Sequence, residues 1–219
     1  MTVADLIRRM RIVGIDYDEK HVLDEELRLE ILDIEREVLS LILDFGVSSY
    51  PIPGDTLSDV DVSTYNTSYP LPLDAWRVRR VNLETPQTGP RGITVQLVTP
   101  EHAGAVPYIH PSAYIEDGEI WPVDGVVDGE ASSRGWGWQN ATNLAIRHIP
   151  APEPKDTDDV LSIPDDSIQL AALKLARFVA KRGRSSDSTV SQVQRDMERA
   201  ETMLRASVQN YLGAGYRSG

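Results

Sequence analysis

The chain contains no cysteine. That removes disulfides, thiolate metal sites and cysteine nucleophiles, and it suits a reducing compartment. No stretch approaches the roughly 20 consecutive apolar residues of a membrane span. The opening run MTVADLIRRMRIVG is charged throughout and has no apolar core of the signal-peptide kind, so a soluble product made in the cytoplasm is expected. Basic charge is in deficit: 22 Lys and Arg stand against 34 Asp and Glu, a net −12. Binding phosphates calls for clustered cations, so an acidic body argues against wrapping nucleic acid. The imbalance is uneven, at −6 for residues 1–49, −9 for 50–159 and +3 for 160–219. Lysine is scarce as well. Of the 22 basic residues 18 are Arg, the cation favoured at protein interfaces for its planar, multi-donor head.

What is present is an ordinary globular balance, 41% hydrophobic and 26% charged over 219 residues, enough for one large domain or two small ones. Thr2 is placed to cap a short helix that runs to about Val13, with Leu6, Met10 and Val13 on one face. Asp24 is the N-cap candidate of a longer helix. Leu27, Ile31, Ile34, Val38, Leu41 or Ile42, and Phe45 recur along it at spacings of three and four, and Gly46 supplies a stop. Near the other end, Pro164 with Asp165 or Asp166 signals a start. Ile168, Ala171, Ala172, Leu175, Phe178 and Val179 then form a stripe that stops at Gly183. After RSSDS comes a near-heptad stripe of Val190, Val193, Met197, Ala200, Leu204, Val208 and Tyr211, ending at Gly213. None of these helices can bury its stripe alone. The economical solution is an antiparallel bundle assembled from both ends of the chain.

Between about 50 and 160 the rhythm changes. WRVRRVNL, GITVQLVT, AYIEDGEIWPV and NLAIRHI read as short strands bounded by turn signals such as TGPRG and EDGE. Pro72, ahead of WRVRRVNL, cannot donate to a ladder and fits a strand's start or edge. The expected fold class is therefore α+β. Residues 1–49 and 160–219 form the helical bundle, and residues 50–159 form an inserted, small antiparallel β-domain.

Motifs that carry chemistry are thin. His21, His102, His110 and His148 lie in separate segments without HxH or HxxxH spacing. SDVDVS, with Asp59 and Asp61, lacks the glycine and terminal glutamate of an EF-hand loop and reads as a solvated turn. EDGE and VDGVVDGE offer carboxylates, Glu119 and Asp124 among them, for calcium or for acid–base hydrolysis; Asp-Gly pairs are first of all hairpin turns. TGPRG lacks a P-loop's Lys-Ser/Thr. In RGWGWQN, Trp136 and Trp138 alternate with Gly. The pair either covers the open side of a small sheet or faces a partner or a sugar. No cofactor or metal is expected, and no enzyme activity.

Taken in order, several pieces resemble the head-to-tail adaptor (connector) proteins of tailed bacteriophages. In that family a Y-x-LP approach and a V-x-x-V strand precede a G-x-P-x-Y-like turn, and the β-domain ends in LP before the penultimate helix. Here the matching residues are Tyr69, Leu71 and Pro72, then Val78 and Val81, then Gly104, Pro107 and Tyr108, and Ile163 with Pro164. The likeness runs over most of residues 24–212. GAVPY is one residue longer than the family's turn, and GEASSRGWGWQN has no counterpart in it. The resemblance implies a structural, non-enzymatic role in the virion neck. It implies a ring, a dodecamer, beneath the portal protein that extends the DNA channel without binding DNA specifically. It also implies a docking face for tail or neck (terminator) proteins. Tyr211, Tyr216 and Arg217 are the candidate portal-docking residues, and Trp136 and Trp138 the candidate partner-facing residues of the β-domain. A carbohydrate-binding or host-recognition module, with the two tryptophans as its stacking platform, is the alternative.

Overall fold

A computed structural model describes residues 1–12, 24–45, 50–62, 68–89, 92–105, 111–123, 126–127, 130–131, 138, 141–183 and 185–215. The protein is α+β, with four α-helices and two mainly antiparallel sheets among those residues. It divides into two compact units. Met1–Gly54 with Pro152–Gly219 forms the helical one, and Asp55–Ala151 the β one.

In the helical unit, α1 (Val3–Ile12) starts on a reciprocal cap. Thr2 Oγ1 accepts the Asp5 N–H at 3.3 Å, and an Asp5 carboxylate oxygen accepts the Thr2 N–H at 3.2 Å. Val3, Leu6 and Met10 are buried; Val13 lies outside the described residues. α2 (Asp24–Asp44) buries Leu27, Ile31, Ile34, Val38 and Ile42, the spacing the sequence announces. α3 (Ile168–Arg182) follows a short 3-10 turn over Asp165–Ser167, and the Gly183 N–H closes it on Val179 O at 2.8 Å. It packs against α1, α2 and the last helix, α4 (Asp187–Gly215). That central position explains a difference from the one-sided stripe expected: Leu170, Leu173, Ala176 and Ala180 are buried too. Its four alanines let neighbouring helices approach closely. α4 buries Val193, Met197, Ala200, Leu204 and Val208, and it runs on past Gly213 to Gly215. A single glycine inside a helix costs only about 1 kcal/mol, so it need not end one.

The β unit holds two four-stranded sheets around one core. The first has the order β1 (Thr56–Asp61), β10 (Asn143–Pro150), β3 (Ala75–Glu84), β4 (Ile93–Thr94), all antiparallel. The second has the order β2 (Tyr69–Pro70), β7 (Glu119–Val123), β6 (Ser112–Glu116), β5 (Gln96–Leu97). β8 (Val126–Val127) and β9 (Glu130–Ala131) pair separately. Val81, Leu83, Leu144 and Ile146 of the first sheet meet Tyr69, Ala113 and Ile120 of the second in a single apolar cluster.

Three details depart from the sequence reading. SDVDVS is no free turn, because Asp59 and Asp61 lie in β1, registered on Ala145 and Asn143. Ladder pairing along β10 overrides the low strand preference of Ser and Asp. GITVQLVT is two strands rather than one. The chain crosses between sheets at Val95, whose N–H bonds Val81 O at 2.8 Å, while the next N–H, of Gln96, bonds Pro111 O. Finally, β5 and β6 run parallel. The connection through the 3-10 turn at Pro100–Ala105 is long enough for the crossover that a parallel pair requires. EDGE is the expected tight hairpin, with Asp117 and Gly118 both at positive φ (52° and 77°).

Candidate docking site on the helical unit

Tyr50 follows α2, Asp166 sits in the turn before α3, and Ser207 and Tyr211 lie one turn apart on α4. Folding brings the four together. Asp166 Oδ2 accepts hydrogen bonds from the Tyr50 hydroxyl and from Ser207 Oγ, the latter at 2.6 Å. The Tyr211 ring meets Tyr50 edge to face, with centroids 5.6 Å apart and planes at 79°. Tyr50 is buried, and burial together with the Asp166 carboxylate pushes its phenol well above the ordinary range. It stays a protonated donor at any physiological pH. Tyr211 remains 44% exposed.

These residues form one wall of a cleft of about 730 Å³ whose other walls include Ile52, Val160, Ile163 and Pro164. The cleft is mostly apolar, with the Asp165 and Asp166 carboxylates at its edge. Among the described residues no histidine lines the cleft, and the groups bonded to Asp166 are the Tyr50 and Ser207 hydroxyls.

The other candidates fall elsewhere. Tyr216 and Arg217 lie outside the described residues, as does Trp136. Trp138 is a core residue and not a partner-facing one. It is 1% exposed, stacked on Tyr69 at 6.2 Å, with its indole N–H donating to Ser112 O at 3.1 Å. Burying so large a ring between two sheets outweighs anything it could gain at the surface. Glu119, in β7, accepts from Ser68 Oγ at 2.6 Å; Asp124 lies outside the described residues. His148 is buried, its ring bonded to Asp74 at 3.2 Å, and His102 is exposed beside Thr99. His21 and His110 lie outside the described residues. Among the described residues no three His, Asp or Glu gather in a group able to hold a metal.

A second exposed feature belongs to the β unit. Leu73, in the turn between β2 and β3, is fully exposed. The turn itself is stiff. Ala75 N–H bonds Pro72 O at 2.9 Å, Leu71 N–H bonds Gly118 O at 2.9 Å, and Asp74 is held by the Ala151 N–H at 3.1 Å and by the His148 ring.

Sequence reasoning missed Tyr50, Asp166 and Ser207 as a group. The available signal was an aromatic set directly before two prolines, in SSYPIPG. No protein-family model matches the chain, and no curated protein matches it.

Proposed function

We propose that the chain is a structural head-to-tail adaptor of a tailed bacteriophage. Copies form a ring, a dodecamer, beneath the portal protein, extend the DNA channel and present a docking face to tail or neck proteins in the virion. The observation that carries the reading is the insertion. A compact β unit, Asp55–Ala151, interrupts a helical unit built from both ends of the chain. Of the segments on which the family likeness rests, Tyr69 lies in β2 and Val78 and Val81 in β3 of the β unit, Ile163 and Pro164 precede α3 in the helical unit, and Pro107 and Tyr108 lie outside the described residues.

Surface chemistry supports this role. The helical unit leaves Leu29, Val160, Met203 and Tyr211 exposed, apolar area of the kind that contacts between copies cover. On the β unit, Leu73 on its stiff turn is a preorganised anchor for a partner, since little is lost in ordering it. A net −12 suits a channel wall, because like charge keeps the DNA backbone from adhering as it passes. The carbohydrate-binding alternative is weaker, as Trp138 has no open ring face to offer.

Electron microscopy of portal rings mixed with the purified chain tests the proposal. An added tier of density coaxial with the portal is expected. Portal rings indistinguishable from those without the chain would overturn it.

A further inference from the structure

The first sheet of the β unit carries its two kinds of charge at opposite ends of one open face. Register fixes what that face holds. Val60, Val81, Leu83, Leu144 and Ile146 point into the core, so the alternate residues of β1, β10 and β3 point the other way. They form three rows across the strands. Leu57, Arg147 and Arg80 make the first row; Asp59, Ala145, Asn82 and Thr94 make the second. Asp61, Asn143 and Glu84 make the third. Arg80, Arg147 and Asp59 are exposed, and Leu57 is 59% exposed.

The opposed charges do not neutralise one another within the chain. Arg80 donates to Asn82 at 2.9 Å and to Thr94 at 2.6 Å, both uncharged, and has no ion pair among the described residues. Arg147 stands opposite it in the ladder, and like charges so placed are unfavourable. The carboxylate nearest Arg147, Asp55 at 3.7 Å, is already bound by Arg79. At the far end it is the Asn143 amide, and no cation, that donates to Asp59 at 3.2 Å and to Glu84 at 3.1 Å. Along β3 the backbones of Arg80 and Glu84 are about 13 Å apart.

A face with a positive and a negative half is complementary to itself turned end for end. We propose that this face pairs with the same face of a second copy, Arg80 and Arg147 of each lying on Glu84 and Asp59 of the other. A partner acidic throughout or basic throughout would match only half of the face; a second copy matches both halves. Arg–carboxylate bonds are charge-assisted and geometrically specific. Packed sheets stand about 10 Å apart and cross at about 30°. Arginine side chains are long enough to span that gap, and the crossing angle carries Asp59, in the middle row, away from its own counterpart. Ala145, small and central, leaves room for close approach, and the exposed Leu57 adds apolar area at the rim. The contact is isologous and closes at two copies. It is therefore separate from a ring and does not rest on the adaptor reading.

Sedimentation velocity of the full-length chain, with no portal present, provides the test. A concentration-dependent equilibrium between one copy and two is expected, and added salt weakens it. Arg80→Glu and Glu84→Arg each set like charges against one another across the interface. Each alone is expected to weaken dimerisation by at least about tenfold. Mixed in equal amounts, the two restore it, since every carboxylate then meets an arginine; the double variant likewise restores it on its own. Thermal unfolding checks that each variant folds, and Arg80→Gln, expected to weaken the dimer less, replaces Arg80→Glu should the latter not. A natural chain that sediments as a monomer at every concentration would overturn the proposal, and polyglutamate bound to that monomer would assign the arginine end to an acidic partner instead. Single variants that dimerise like the natural chain, or a mixture no better than its components, would overturn it too.

Discussion

The carboxylate of Glu35, 1% exposed on the packed face of α2, accepts the backbone N–H of Ser162 at 2.5 Å. The bond joins the first long helix to the segment that leads into α3, across 127 residues of sequence. Lys155, whose Nζ donates to Ser162 Oγ at 2.9 Å, stands 3.9 Å from the other Glu35 oxygen. Burial pushes the Glu35 carboxyl above its ordinary range, against the opposing pull of the Ser162 N–H and of Lys155. A carboxyl raised in the folded state binds its proton there at a pH where the unfolded chain has released it. Its contribution to stability is therefore largest at low pH and is lost as pH rises from the ordinary carboxylate range through the raised value. Urea unfolding of Glu35→Gln, compared with the natural chain from acid to neutral pH, is expected to lack that declining component. Two curves that stay parallel throughout would contradict it.

Removing the carboxylate altogether has a different effect. Glu35→Ala strands the Ser162 N–H beside a mostly buried ammonium, Lys155 being 16% exposed. The expected loss is about 1–3 kcal/mol at neutral pH, the cost of an unsatisfied buried donor. Glu35→Gln keeps an acceptor for Ser162 and is expected to lose less by the same denaturation measurement.

Trp138→Ala distinguishes a core ring from an exposed platform. The structure stacks Trp138 on Tyr69 and bonds its indole N–H to Ser112. A destabilisation of about 3–5 kcal/mol is expected in chemical unfolding, the range for deleting a large buried aromatic. A change below about 0.5 kcal/mol, typical of surface positions, would return the ring to the surface.

Leu73→Asp reads the opposite property. The side chain is fully exposed and its turn is held by backbone bonds, so stability is expected to change by less than about 0.5 kcal/mol. Binding to the tail-side partner is expected to fall by tenfold or more, as for the loss of an interface anchor. Surface plasmon resonance against neck or tail proteins measures it, and unchanged affinity would remove Leu73 from the docking face.

Two glycines at positive φ are expected to respond differently to alanine. At Gly92 an added Cβ would sit 3.1 Å from both Asn82 Cβ and Leu83 O, while at Gly118 it meets nothing within 4 Å. Gly118→Ala is expected to cost about 1 kcal/mol for the left-handed backbone alone. Gly92→Ala adds a clash on β3 and is expected to cost clearly more in thermal unfolding.

Much of the helical unit was legible, because the stripes of α2 and α4 have one buried face and therefore a clear period. The wrap-around burial of α3 was not, since a stripe reports one contact face while α3 meets three helices. In the β unit, WRVRRVNL and AYIEDGEIWPV read correctly from alternation and a turn signal. β1 did not, as its Ser58, Asp59 and Asp61 signal a turn locally and become strand only by pairing with β10. The same limit hid the cleft on the helical unit. Asp166 is legible as a helix-start residue, yet its partners Tyr50 and Ser207 lie 116 and 41 residues away, and no local pattern links them.

Mass measurement of the purified chain with and without purified portal rings bears most directly on the central claim, that this molecule assembles and does not catalyse. The account predicts a discrete added mass on each portal ring, equal to a whole number of copies and matching the ring's symmetry. A portal whose mass stays unchanged at saturating chain would contradict it.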